Sequence, residues 1–228
     1  MNAKVKETNS IDQWDCQYRN QKHMSRWPWS HLVGYVYRYC NPHSGMRVHE
    51  LGCGVGANIP FFLDIEADYS ACDGSEHAID FLRDKYPKIA PRLMRADFSQ
   101  DLGTSGPLDL IIDRASITHN LTSSIRCILD MVFRELRPGG IFLGVDWFAT
   151  DSDDFLVGTE TEDPYVRTAY SDGPFSELGL VHFSDQEHLL ELFNHFEIIA
   201  LSYRSEKTLM PGPSRILGVW DIVARRPV

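Results

Sequence analysis

Three glycines and a carboxylate, spaced as Glu50-x-Gly52-x-Gly54-x-Gly56 within HELGCGVGAN, are the residues of this chain whose types speak first of chemistry. Glycine accepts backbone angles closed to other residues and leaves no Cβ in the way. A cluster of them between a strand and a helix therefore lets a nucleotide-like ligand lie against the main chain. Taken alone, Gly52, Gly54 and Ala57 also satisfy the dinucleotide fingerprint, whose third position accepts alanine. Glu50 argues against a pyrophosphate at this loop, because two like charges a few Å apart at an effective dielectric of about 20 repel by some kcal/mol. A ligand that pairs a nucleoside with a cationic end gains where a pyrophosphate loses.

The elements that must hold this loop are legible as a rhythm of short apolar runs and helical stretches. RVHEL reads as a strand, ANIPFFLDI as a helix, DYSACD as a strand, SEHAIDFLRDKY as a helix, and PRLMRAD and LDLIID as strands. TSSIRCILDMVFREL follows as a helix, RPGG as a turn and IFLGVDWF as a strand. Alternation of this kind predicts parallel strands joined by right-handed crossovers. The expected fold is α/β: a doubly wound, mostly parallel seven-stranded sheet with helices on both faces. EIIALSYRS and RILGVWDIVARR would form its antiparallel edge hairpin after a last helix, SDQEHLLELFNHF. In such sheets ligands collect beyond the carboxyl ends of the strands.

A single domain is expected, divided into an N-terminal cap (1–45), a cofactor-binding core (46–147), an acidic, aromatic insertion (148–184) and the final helix and edge strands (185–228). The first ten residues are polar and expected to fray; the rest of the cap reads as two amphipathic helices split near Pro28. The insertion breaks the rhythm and reads as a long loop, either a lid or a solvated excursion.

The 228 residues hold 22 Lys and Arg against 32 Asp and Glu, a formal net charge of -10 that disfavours nucleic acid as a partner. Cys16, Cys40, Cys53, Cys72 and Cys127 are odd in number and never spaced C-x-x-C, so neither a disulfide framework nor a zinc site is expected. His188 and His195 lie seven apart on the last helix without a third ligand at helical spacing, and read as structural. No signal-peptide core is present and no run approaches the roughly 20 apolar residues that span a bilayer, so a cytoplasmic, unanchored protein is expected.

The glycine loop with its leading carboxylate resembles the first motif, E/D-x-G-x-G-x-G, of the class I S-adenosylmethionine-dependent methyltransferases. The resemblance continues at successive strand ends. It implies that Asp73 in ACDGS accepts from the ribose hydroxyls, that Asp97 and Phe98 in RADFS meet the adenine, and that Asp113 in LIIDRAS lies beside the methionine moiety. Asn58, Gly74, Ser75 and Arg114 complete the implied cofactor set, and LRPGGIFLGV resembles the turn and strand that follow in this family. S-adenosyl-L-methionine is the expected cofactor; its ammonium and sulfonium welcome Glu50.

Methyl transfer from a sulfonium is an in-line displacement that needs alignment and exclusion of water more than a strong acid. A base is needed only where the acceptor must lose a proton as it attacks, and His119 in DRASITHN is then the candidate; otherwise it orders its loop or caps the next helix. DRAS lacks the Pro-Pro-aromatic pattern of adenine and cytosine amino methyltransferases. "DR" is similar to thiol methyltransferases of the thiopurine and tellurite-resistance kind. A small-molecule acceptor is expected, such as a sugar or secondary metabolite methylated on oxygen or nitrogen.

Trp14, Tyr18, Trp27 and Trp29 from the cap, and Asp146, Trp147, Tyr165 and Tyr170 from the fifth strand and insertion, are the candidate acceptor walls. Trp14, Tyr18, Trp147, Tyr165 and Tyr170 are the residues expected to bind the acceptor. Glu160, Glu162 and Asp163 either favour an amine-bearing acceptor or, the preferred reading, are solvated. A homodimer is possible. Two rival readings remain open: a nicotinamide-dependent oxidoreductase on the same loop, and a binding module that senses S-adenosylmethionine without turnover.

Overall fold

The computed structural model describes residues 10–228; the polar extreme N-terminus read as frayed lies almost wholly outside them. Seven strands form one sheet in the order β3-β2-β1-β4-β5-β10-β9. They are β1 (Arg47–Leu51), β2 (Asp68–Asp73), β3 (Leu93–Arg95), β4 (Leu108–Arg114), β5 (Leu136–Phe148), β9 (Glu197–Thr208) and β10 (Arg215–Arg225). The first five run parallel; β10 pairs antiparallel with β5 and with β9, which is the expected edge hairpin.

Register explains where a site must lie. Leu51 pairs with Cys72 on one side and with Asp113 on the other, and Arg114 pairs with Val145. The chain therefore leaves β1, β2 and β4 at one level, and Gly52, Asp73 and Arg114 emerge along a single rim.

The helices obey local rules. In α4 (Glu76–Lys85), Ser75 Oγ accepts from Ala78 N at 3.1 Å as the N-cap, with Glu76 in the first turn and Arg83 and Lys85 in the last, complementing the helix dipole. In α5 (Thr122–Glu135), Ile125, Ile128, Leu129 and Val132 recur at helical spacing and are buried. Asp185 caps α7 (Gln186–Leu192) by accepting from His188 N at 2.8 Å. Strand residues alternate between the two faces of the sheet. Leu110 and Ile112 pack with α3 (Ile59–Asp64) and α4 on one side, while Ile111 packs with α5 and α7 on the other.

Several boundaries differ from expectation. The third strand is only three residues long, since Ala90–Arg92 turns as a 3-10 helix before it. The RPGG turn is drawn into β5, which bends at Gly139 with φ of +78°. The cap forms α1 (Ser10–Arg19) and α2 (Ser30–Tyr35), the latter continued by a π-helical turn at Val36–Cys40.

The insertion is the larger correction. Residues 148–184 are not a loop but fold as α6 (Asp153–Val157) and a small antiparallel sheet of β6 (Thr159–Glu160), β7 (Val166–Thr168) and β8 (Val181–His182). Phe148, Phe175, Leu178, Val181, Phe183 and Val219 give it an apolar cluster of its own. Asp163, read as solvated, takes Thr122 N at 2.7 Å and Thr122 Oγ1 at 3.0 Å, capping α5 and tying the insertion to the core. Among the described residues no helix is long and apolar enough to cross a membrane.

Candidate active site

A cavity of about 1000 Å³ opens beyond the carboxyl ends of the sheet strands, roofed by α1 and the insertion. Its floor on one side is the glycine loop. Gly52 and Gly54 stand at φ of +61° and +51°, a region costly for residues with a Cβ. A Cβ on Gly52 would sit 2.3 Å from Ser116 Cβ, and one on Gly54 would sit 2.7 Å from Tyr18 Oη. Gly52→Ala is therefore expected to cost about 1–3 kcal/mol of stability, the usual price of a strained backbone residue, and urea denaturation checks it. Gly56, with φ of +77°, differs: its Cβ would meet Ile59 and Leu82 side chains, so it turns the chain against the core and does not line the cavity.

Glu50 is buried at the base of this loop. Its oxygens accept from Asn58 Nδ2 at 2.9 Å and Tyr69 Oη at 2.5 Å. Burial pushes its carboxyl up to about 7, the neighbouring charges of Asp113 and Asp73 add to the rise, and the two hydrogen bonds oppose it. Asp73 accepts from Gly54 N and Ser75 N, each at 2.8 Å, and burial lifts it to about 6. Asn58 Oδ1 is buried and has no partner among the described residues. This end of the cavity thus offers bare backbone, an orphaned acceptor and carboxylates short of positive charge. That set fits a nucleoside with a cationic tail, as S-adenosylmethionine has, and penalises a diphosphate.

Gly74, Ser75, Asp97 and Phe98 also reach the cavity wall. One oxygen of Asp97 is taken by Ser99 N and Ser99 Oγ, at 3.0 and 2.6 Å.

Asp113 does not reach it. The residue is fully buried: Oδ1 accepts from Ser116 N and Ile117 N, both at 3.0 Å, and Oδ2 from Trp147 Nε1 at 2.7 Å. Its oxygens hold the 3-10 turn Ile117–His119 in place, so Asp113 is a positioning residue and not a cofactor contact. Trp147 is likewise fully buried, packed on Phe142 and Phe193, and does not line the cavity.

The insertion tyrosines also fall elsewhere. Tyr165 stacks on His188 with ring centres 3.5 Å apart, beside the His182–His188 Nε2 pair at 3.2 Å. Tyr170 packs behind the wall against Phe175. Trp14 and Tyr18 do line the cavity.

The turn that Asp113 fixes presents His119. Its Nδ1 lies 2.9 Å from Leu180 O, a bond that requires the proton on Nδ1 and leaves the Nε2 lone pair free. Trp14 and Phe148 flank the ring edge-on at 5.0 and 6.0 Å. Burial drives its pKa down to about 4, so the imidazole is uncharged near neutrality, with an unprotonated Nε2 that is less basic than in a free histidine.

Three sets of site residues escaped the sequence reading. Arg204 and Asp221 meet on the edge hairpin, with Arg204 Nε 2.8 Å from Asp221 Oδ2. The available signal was Asp221 itself, a charge inside the apolar run RILGVWDIVA that must find a partner when buried. Asp15 on α1 accepts from Ser75 Oγ at 2.6 Å and His77 N at 3.0 Å. Glu177 on the insertion pairs with Lys22 just beyond α1, at 2.8 Å.

Comparisons with known proteins agree with this geometry. Residues 48–140 match the family model described as "Methyltransferase domain". No curated protein sequence matches the chain. Among solved structures, one described for conversion of a disulfide bond into a thioacetal group during echinomycin biosynthesis is 19% identical, with a TM-score of 0.64 over 95% of this chain and 93% of that one. A SAM-dependent methyltransferase from Methanosarcina mazei is 17% identical, with a TM-score of 0.65 over 89% of this chain and 99% of its own. An S-adenosylmethionine-dependent methyltransferase from Clostridium acetobutylicum is 15% identical, with a TM-score of 0.62 over 96% and 92%. At such identities the likeness establishes the fold.

Proposed function

We propose that this chain, a class I S-adenosylmethionine-dependent methyltransferase, methylates an oxygen or nitrogen of a small molecule held between its N-terminal cap and its insertion, with His119 as the base. The observation that carries the reading is one cavity with buried carboxylates at the glycine-loop end and an uncharged, tautomer-fixed imidazole on its wall.

When bound, the cofactor supplies an electrophilic methyl group on a positively charged sulfur. The residues of the chain do the rest. Glu50 and Asp73 supply negative charge and hydrogen-bond acceptors along the cofactor, and the backbone at Gly52 and Gly54 lets it approach closely. Asp97 and Phe98 close the adenine end. Trp14 and Tyr18 exclude water from above, strengthening electrostatic interactions inside. His119 Nε2 takes the proton of an acceptor hydroxyl as it attacks, while Leu180 O and the Asp113-braced turn keep the ring from rotating.

The acidic charge balance and a cavity of about 1000 Å³ both favour a small molecule over nucleic acid. A cytoplasmic setting and a homodimer remain part of the proposal. Calorimetric titration with S-adenosylmethionine and with NAD(H), followed by methyl transfer across a panel of phenols, sugars and amines, tests it. Binding of NAD(H) alone favours an oxidoreductase, and tight cofactor binding with no acceptor methylated favours a sensing module.

A further inference from the structure

Beyond β4 the cavity wall carries groups for which binding the methyl donor has no use. Asp146, at φ of +59° near the end of β5, accepts from Arg114 Nε at 2.9 Å through Oδ2 and from Arg204 Nη2 at 2.6 Å through Oδ1. Asp221 on β10 is buried and accepts from Arg204 Nε at 2.8 Å, Arg204 Nη2 at 2.9 Å, Tyr35 Oη at 3.1 Å and Asp146 N at 3.0 Å. The Arg114 guanidinium carbon lies 3.6 Å from the centre of the Trp29 ring, which fixes its plane.

Every carboxylate oxygen in this network is engaged. Arg114 Nη1 and Nη2 and Arg204 Nη1 meet no acceptor among the described residues, and both side chains are about one third exposed, at 32% and 33%. Unspent capacity on this stretch is thus donor-only, and a ligand that satisfies it must bring hydrogen-bond acceptors. Two guanidiniums against two carboxylates make the cluster formally neutral, so it offers directed donors more than net charge. A dianion is disfavoured most because Glu206, two residues beyond Arg204 on β9, stands exposed at the same rim. A planar, singly charged carboxylate matches the guanidinium edges. Next to them the wall turns apolar through Phe148, Phe175, Leu178, Leu217 and Val219.

We propose that the acceptor subsite takes an apolar or aromatic carboxylic acid, its carboxylate on the free Nη groups of Arg114 and Arg204 and its body against Phe148 and Phe175. This rests on the methyl-transfer reading of the cavity. It also moves Arg114 from the cofactor's side to the acceptor's. Its partner Asp146, which Arg204 shares, lies toward the β10-β9 edge, whereas the glycine loop follows β1 on the other side of β4.

The probes are benzoate, methyl benzoate and phenyl phosphate, titrated by NMR into the protein saturated with S-adenosylhomocysteine, in wild type, Arg114→Gln and Arg114→Lys. Benzoate is expected to bind at least about tenfold tighter than either competitor, as charge-assisted hydrogen bonds imply. Arg114→Gln should abolish that preference and Arg114→Lys should keep part of it, with S-adenosylhomocysteine affinity within about twofold of wild type. No detectable binding of benzoate, ester binding equal to acid, or tighter phenyl phosphate overturns the proposal. So does a preference that survives in both variants, or a tenfold loss of S-adenosylhomocysteine affinity in Arg114→Gln, which would return Arg114 to the cofactor. Wild-type protein that fails to bind S-adenosylhomocysteine at all overturns the methyl-transfer reading along with it.

Discussion

Glu50→Gln should weaken S-adenosylmethionine binding by roughly 30-fold to 5,000-fold, the equivalent of the roughly 2–5 kcal/mol lost when one partner of a buried charge pair is removed. The ligand-free variant should at the same time be no less stable than the parent above pH 7. The two effects have opposite signs because Glu50 is held at a cost. Its carboxyl sits at about 7 in the fold against 4.5 in the open chain, and Asp73 at about 6 against 3.8. Groups raised in this way contribute stability that is complete below the unfolded value and is lost as pH rises through the folded one. Asp113, raised to about 7, acts in the same direction, whereas His49 and His119, held down to about 4 by burial, return stability between about pH 4 and 6.5. The effect of Glu50 is therefore read as a difference, the ligand-free Glu50→Gln variant gaining on the parent from about pH 4.5 to 7. The parent's cofactor affinity should rise over this range as Glu50 and Asp73 ionise, levelling above about pH 7. Scanning calorimetry and titration across this range check both. A variant that loses stability while keeping its cofactor affinity would mean that Glu50 is scaffolding.

His119→Ala should slow methylation of a hydroxyl acceptor by about 10²–10⁴-fold, the ordinary contribution of a positioned base, while leaving cofactor affinity unchanged. A neutral amine acceptor, which attacks through its lone pair, should be much less affected. The contrast between the two acceptors separates proton removal from packing, since Trp14 and Phe148 lose the same ring in both reactions. With the imidazole pushed down to about 4, the rate profile should show no histidine limb near pH 6–7. Unimpaired transfer to a hydroxyl would dispose of His119 as base.

The glycine loop and its strand-end neighbours were legible because their evidence is local. A strand, a turn needing positive φ and a leading carboxylate are adjacent in sequence, and the parallel register carries Asp73 and Asp97 to the same rim. Asp113 occupies the same kind of position, yet its bonds to Ser116, Ile117 and Trp147 take it out of the wall. A motif fixes where a side chain begins and leaves open which donors fold back on it. The acceptor side was harder because it is assembled from distant pieces. Tyr165 and Tyr170 are absorbed by His188 and Phe175, while Arg204 enters from a hairpin nearly 60 residues beyond Asp146 and is revealed only by pairing. The insertion's small sheet has strands of two and three residues, too short for any alternation to register.

The helix α1 is moored on opposite banks of the cavity. Asp15 reaches Ser75 and His77 beside the glycine loop, and Gln17 and Lys22 reach Glu177 on the insertion. A ten-residue helix transmits a tug at one mooring to the other more readily than it bends. By thermodynamic reciprocity, whatever occupancy at the glycine loop does for the grip on the acceptor, the acceptor must do in equal measure for the grip on the donor.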